Sequence, residues 1–417
     1  MSPIKAFSFS EKCDDLYQLA TTSINCIESD RLVMSCISVC YRVEVGPTKG
    51  GGGGVNSLLK FYNAKYSIID DLEHEFKDKK AFLTRVWDKS KIYFGKKSYY
   101  LDQFGDRLAK KYSSDSLFLC HDVDSAAEMV SRGRRVLLVY HNQFSCMTDQ
   151  EMYNKHSRAE QEKLCSLEKL AFLDSDAVAF PSQGACDSYL QKSLLAEHEK
   201  EQIRKKTQIL YNTCNEFPVR VVPYIADEVR EKVTGRTVLL TVSTLYEAKG
   251  VDLIPEQLSK IKNFNEKFVW ILCGSKGEAR QKILDEVKKY GLEDGFIHID
   301  FKMPQAELSF FYGLADYYIM HHRISIFDLA TLEAMSFGLI PVLSPVGGNL
   351  EVNKEQNVIF MPTSAATDFT LSNDRGEIQR LADLNKKVIK DYFGPEAFLK
   401  NYSHFLNDFK EKNNAKI

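Results

Sequence analysis

Glu333 lies about one turn inside a segment, 328–337, whose apolar residues at Leu329, Leu332, Met335 and Phe337 predict a short helix. Asp328 stands at its start, as a favoured cap, and Gly338 ends it. The aromatic and β-branched run 317–320 leads in as a strand, and 340–343 leads away as a buried one. A loop entering a helix beside the carboxyl edge of a sheet gathers unpaired N–H groups and the positive end of the helix dipole. Phosphate is attracted to such a place. A carboxylate one turn further in can accept two hydrogen bonds from the hydroxyls of a sugar ring.

Two other places carry residues suited to chemistry. The apolar run 32–41 empties into GPTKGGGGG, residues 46–54, followed by a helix from 55 to about 66. Strand, glycine loop and helix can cradle phosphate with backbone N–H groups, and a flexible loop accounts for the same residues. The spacing fits neither the P-loop nor the GxGxxG fingerprint. His121 and His141 follow the apolar runs 116–120 and 135–140, at the carboxyl edge where open α/β sheets bind ligands. A lone histidine in such a place is more often a satisfied structural residue.

The elements that must position these groups alternate regularly. Strands are expected at 177–180, 207–211, 237–242, 268–273 and 296–299, and helices at 10–27, 148–172, 277–290, 305–314, 377–392 and 395–410. Strand alternating with helix predicts doubly wound parallel sheets. At 417 residues the chain exceeds one typical core, so two domains are expected, with the mixed-charge, proline-bearing stretch 216–236 connecting them.

Residues 332–352, LEAMSFGLIPVLSPVGGNLEV, resemble the donor-sugar motif of the retaining GT-B glycosyltransferases grouped as family 4. Glu333, Ala334, Met335, Gly338, Pro341, Val342, Gly347, Gly348 and Glu351 match. Two positions depart: Ser325 stands where the motif has its first glutamate, and Asp328 follows Phe327 where it has glycine. Residues 243–250, STLYEAKG, are similar to the same family's Gly-Arg-Leu then Lys-Gly; Lys249 and Gly250 match, and Thr244 takes the arginine's place.

The resemblance implies the GT-B fold, two Rossmann-like doubly wound parallel-sheet domains facing a cleft. Residues 1–222 would form the acceptor side, 237–385 the nucleotide-sugar side, and 386–417 helices that cross back to the first domain. It implies metal-independent transfer of a hexose, with retention, to a glycan, lipid-linked or protein acceptor, as in polysaccharide biosynthesis. The donor would be a UDP- or GDP-linked sugar acting as co-substrate, with no cofactor. Lys249 would stabilise the leaving diphosphate, on which negative charge grows as the bond to the sugar breaks. The N–H groups of Leu329 and Ala330 would cap that phosphate, Glu333 would hold the ribose, and His141 would orient the transferred sugar or the acceptor. Further donor contacts would come from Gly53 and Gly54 in the glycine turn, Gly274 beside the nucleotide, and Phe301 and Met303 at the base. Thr244, Ser325, Phe327 and Asp328 would line the diphosphate and sugar, with Arg323 as a cation in place of the missing arginine. A non-catalytic GT-B subunit supporting a second transferase, or a nucleotide-sugar epimerase, are the other readings of the same residues.

Bulk properties narrow the setting. Lys and Arg total 55 against 57 Asp and Glu, a net charge of −2 that gives no global signal for nucleic acid. Ten cysteines lack metal spacing, as reduced thiols in a cytoplasmic protein would. No signal peptide or membrane span is evident. Asp122-Val123-Asp124 follows the wrong strand for a metal-binding DxD loop. Residues 76–112 are basic and aromatic, with Trp87, Tyr93 and Phe94 among lysines. Such a stretch suits the anionic inner face of the plasma membrane as a peripheral contact, an acidic partner, or a solvated helix face over core aromatics.

Overall fold

The computed structural model describes residues 37–40, 55, 72–73, 82–114, 116–142, 144–146, 157–214, 222–301, 303–362 and 369–414. The glycine run with Gly53 and Gly54, and the helix expected over 10–27, lie outside the described residues.

Two parallel sheets organise the chain. The first contains β1 (Ile37–Cys40), β2 (Leu72–Glu73), β3 (Leu117–Cys120), β4 (Arg135–Val139), β5 (Ala177–Phe180) and β6 (Thr207–Ile209), in the order β2-β1-β3-β4-β5-β6. The second contains β7 (Thr237–Val242), β8 (Phe268–Cys273), β9 (Phe296–Ile299), β10 (Tyr317–Met320), β11 (Ile340–Leu343) and β12 (Ile359–Phe360), in the order β12-β11-β10-β7-β8-β9. Each order reverses beside its first strand, between β1 and β3 or β7 and β10, and such reversals open crevices at the carboxyl edge of a sheet. The central strands are apolar throughout because helices cover both faces; β8, FVWILC, is buried at every position.

The second lobe has one continuous core built on Trp270, Tyr317, Tyr318 and their neighbours. The first sheet has a core on each face. One face packs Phe104, Phe118, Phe172, Phe180 and Tyr189. The other face, formed by Val39, Leu117, Leu119, Leu137 and Val139, is covered by Phe398, Leu399, Tyr402, Phe405, Leu406 and Phe409 of the last helix, Pro395–Asn414. That helix follows Arg375–Val388 and a π-helical turn, Ile389–Phe393, so the chain leaves the second lobe and returns to the first.

Several segments differ from expectation. The stretch 216–236 is more than a connection: Pro223–Val233 is a helix with proline at its start, and Val222 and Val229 join the second lobe's core. The helix expected over 148–172 is Arg158–Asp174 among the described residues, with the Ser157 hydroxyl accepting from Glu160 N–H at 3.2 Å. The basic stretch forms two helices, Phe82–Tyr93 and Tyr99–Lys111. The second is half structural: Tyr100, Leu101, Phe104 and Leu108 are buried. Lys97 and Arg132 both pair with the buried Glu128 carboxylate at 2.7 Å.

Candidate active site

The loop after β7 is shaped by glycine. Gly250 has φ +65°, and a Cβ there would lie 1.9 Å from the His321 carbonyl oxygen, so the Glu247–Lys249 turn can lie on the segment after β10 only with glycine beside it. Gly274 serves the same purpose one strand over: its added Cβ would meet the Ser243 carbonyl at 2.2 Å. The result sends Lys249 toward the start of the Leu329–Phe337 helix, its Nζ 3.5 Å from Asp328 Oδ1.

Asp328 caps that helix, its Oδ2 accepting from Thr331 N–H at 3.0 Å and Thr331 hydroxyl at 2.9 Å. Tyr318 of β10 donates its hydroxyl to the same oxygen at 3.3 Å, and His322 Nε2 lies 3.7 Å from Oδ1. Burial opposes the charge, but Lys249, His322 and Thr331 prevail and hold the carboxyl well below the usual carboxylate range. Leu329 and Ala330 form the first turn, where N–H groups have no carbonyl of the helix to meet. Glu333, one turn on, is buried and accepts from the Tyr312 hydroxyl at 3.1 Å.

Three expected donor contacts are engaged elsewhere. The Arg323 guanidinium is clamped by Asp252 at 2.6 and 2.8 Å and reaches the Glu247 carbonyl at 2.5 Å. It fastens the Glu247–Lys249 turn and Asp252 to the segment after β10. Asp252 also takes Lys282 at 2.7 Å; burial opposes its ionisation, yet the two cations bring its pKa down to about 2. The Ser325 hydroxyl, expected near the sugar, is buried and donates to Asn349 Oδ1 at 2.7 Å. Phe327, expected at the donor, is buried where the lobes meet, stacked on Tyr211 at 5.0 Å and edge-on to Phe393. Thr244 and Phe301 are exposed at the carboxyl ends of β7 and β9, whereas Met303 packs half-buried on the core.

His121 and His141 come together across the first sheet's edge, rings stacked, with Nδ1 of His121 2.8 Å from Nε2 of His141. Burial pushes both toward the neutral form, His141 down to about 4. Asp122, by contrast, caps the Val123–Ser131 helix through Ser125 N–H at 2.7 Å.

The lobes touch directly beside this site. The Glu351 carboxylate accepts from the N–H groups of Gln183 and Gly184 at 2.9 and 2.8 Å, at the start of the Gln183–Lys192 helix in the other lobe. Gly184 and Gly347 meet backbone to backbone, with room for no Cβ, and Ser182 donates its hydroxyl to the Ile326 carbonyl. Sequence reasoning missed His322, Tyr318, Thr331, Tyr211 and the Glu351 contact. Thr331, three residues after Asp328, was a local capping signal; nothing local ties Glu351 to Gly184.

Comparison with known proteins bears on the fold and on the second lobe. Residues 225–392 match the family model for glycosyl transferases group 1. Glycogen synthase 2 of Geobacter sulfurreducens is 31% identical over 107 residues, 26% of this chain and 21% of that protein. Granule-bound starch synthase 1 of Pisum sativum is 27% identical over 152 residues, 36% of this chain and 24% of that protein. The matches thus span about a quarter or less of these curated relatives' length. The crystal structure of Anabaena Alr3699/HepE in complex with UDP and glucose aligns with a TM-score of 0.61 at 15% identity, covering 89% of this chain and 99% of that one. The fold is therefore GT-B, and the part of the chain that resembles glycosyl transferases group 1 lies largely within the second lobe.

Proposed function

We propose that the protein transfers a hexose from a UDP- or GDP-linked donor to a glycan, lipid-linked or protein acceptor, with retention and without a metal. One observation carries this: Lys249 Nζ stands at the amide-bearing start of the Leu329–Phe337 helix, where a leaving diphosphate would sit. In this reading the acceptor oxygen bonds to the anomeric carbon as the sugar–phosphate bond breaks. The departing phosphate oxygen takes the acceptor's proton, and Lys249 stabilises the charge left behind. Glu333 holds the ribose and His141 orients the sugar or acceptor. Trp87, Tyr93 and Phe94, exposed by half or more beside Lys89 and Lys96, suit an acceptor presented at the anionic inner face of the plasma membrane. The solved HepE complex with UDP and glucose supports a nucleotide-sugar partner.

The Lys249–Asp328 pair and the uncharged Thr244 favour a second reading, a non-catalytic GT-B subunit, because both weaken leaving-group stabilisation. The experiment that separates them offers UDP- and GDP-sugars to the full chain, with and without acceptors in anionic vesicles, and follows release of nucleotide. Acceptor-dependent release is expected. Loss of the Lys249 charge-assisted contact, about 1.5–3 kcal/mol, should lower kcat/KM of Lys249→Ala by roughly 10- to 150-fold. Conversion of free donor without acceptor would indicate an epimerase, and the absence of any nucleotide effect on Tm would remove the enzyme reading.

A further inference from the structure

Donors from three parts of the second lobe converge on one pair of oxygens. Asp328 receives the Thr331 N–H and hydroxyl, the Tyr318 hydroxyl, and the approach of Lys249 Nζ and His322 Nε2. His322 is buried, and its Nε2 has no hydrogen-bond partner within bonding distance. Asn349 Nδ2 lies 3.3 Å from the opposite ring nitrogen and can only donate there, which leaves the ring proton on Nε2, facing Asp328. A cation, an imidazole N–H, a backbone N–H and two hydroxyls at the positive end of a helix are what a phosphate oxyanion requires. Neighbouring cations are committed, since Arg323 and Lys282 both bind Asp252.

Resting on the donor reading above, we propose that Asp328 is an internal competitor for the donor's phosphate, its carboxylate occupying the oxyanion position. A nucleoside diphosphate binds by displacing that carboxylate from Lys249 and His322. Asp328 thereby keeps donor affinity low and makes the site selective for ligands carrying enough charge to win the exchange.

Titration calorimetry of the full chain with UDP and with inorganic pyrophosphate tests this in two variants. Asp328→Asn keeps a good helix cap and removes the charge; Asp328→Gly removes the side chain at little cost to the cap. Both should bind UDP and pyrophosphate at least tenfold more tightly than the unaltered protein, and adding Lys249→Ala to Asp328→Asn should abolish that gain. Equal or weaker binding by both variants overturns the proposal, as does failure of every form to bind pyrophosphate. Tightened binding without sugar transfer by any form would leave the competitor standing and remove the transferase reading. Sugar transfer by the unaltered protein, with affinities unchanged in the variants, would do the reverse.

Discussion

The His121–His141 contact is two ionisable groups sharing one hydrogen bond at a buried sheet edge. A proton added to either ring must be accommodated beside the other, and burial already pushes both toward neutrality, His141 to about 4. Unfolded histidines titrate near 6.5, so between about 6.5 and 4 the unfolded chain binds more protons than the native one. The stability this pair contributes is complete above pH 6.5 and is lost as pH falls toward 4. Urea midpoints measured from pH 7.5 to 5 should therefore drop more steeply for the unaltered protein than for His121→Asn/His141→Gln. Parallel slopes would show that the pair titrates normally. Either histidine alone was visible in sequence as a strand-end residue; that they form a pair follows from β3 and β4 being neighbours in register, with Cys120 opposite Leu138.

The turn Glu247–Lys249 and the helix Leu329–Phe337 must meet closely for a cation to stand at a helix start, and Gly250 permits it. Gly250→Ala combines a left-handed backbone with a Cβ against the His321 carbonyl. It should cost about 2 kcal/mol or more, seen as a lowered urea midpoint, and it should raise KM for donor by moving Lys249. A normal midpoint with normal KM would sink this account of the loop. Elements of this lobe were legible because short, continuous apolar runs alternate with helical segments: β7, β8, β9, β10 and β11 fall at the residues expected, as does the Gln305–Leu314 helix. The Lys-Gly and Glu-Ala-Met pieces were legible only through their resemblance to the family motif, each placed after a strand. The partners of Arg323, Ser325 and Phe327 were not legible, because the direction of a loop side chain depends on distant residues. Asp252, Asn349 and Tyr211 are 71, 24 and 116 positions away in sequence and leave no local trace. The Pro223–Val233 helix was passed over because prolines and mixed charge read as a connection, although proline at a helix start is favourable.

At the scale of the whole molecule, the first lobe borrows part of its core from the end of the chain. Six large apolar side chains of Pro395–Asn414 cover one face of its sheet. Burying such side chains contributes about 1.5–3 kcal/mol each, and their sum rivals the net stability of roughly 5–15 kcal/mol typical of a folded protein. Ending the chain at Gly394 should leave a product that aggregates or unfolds without a cooperative transition, while the second lobe's strands keep their own core. A truncated chain that melts like the full one would contradict the role given to this helix. The order of biosynthesis gives the same feature another meaning. Val139 of the first sheet emerges some 270 residues before Phe409 that covers it. At about 5–20 residues per second the bare face waits roughly 15–50 s for its cover. During translation, then, this face of the first sheet stays uncovered until the ribosome has made the Pro395–Asn414 helix.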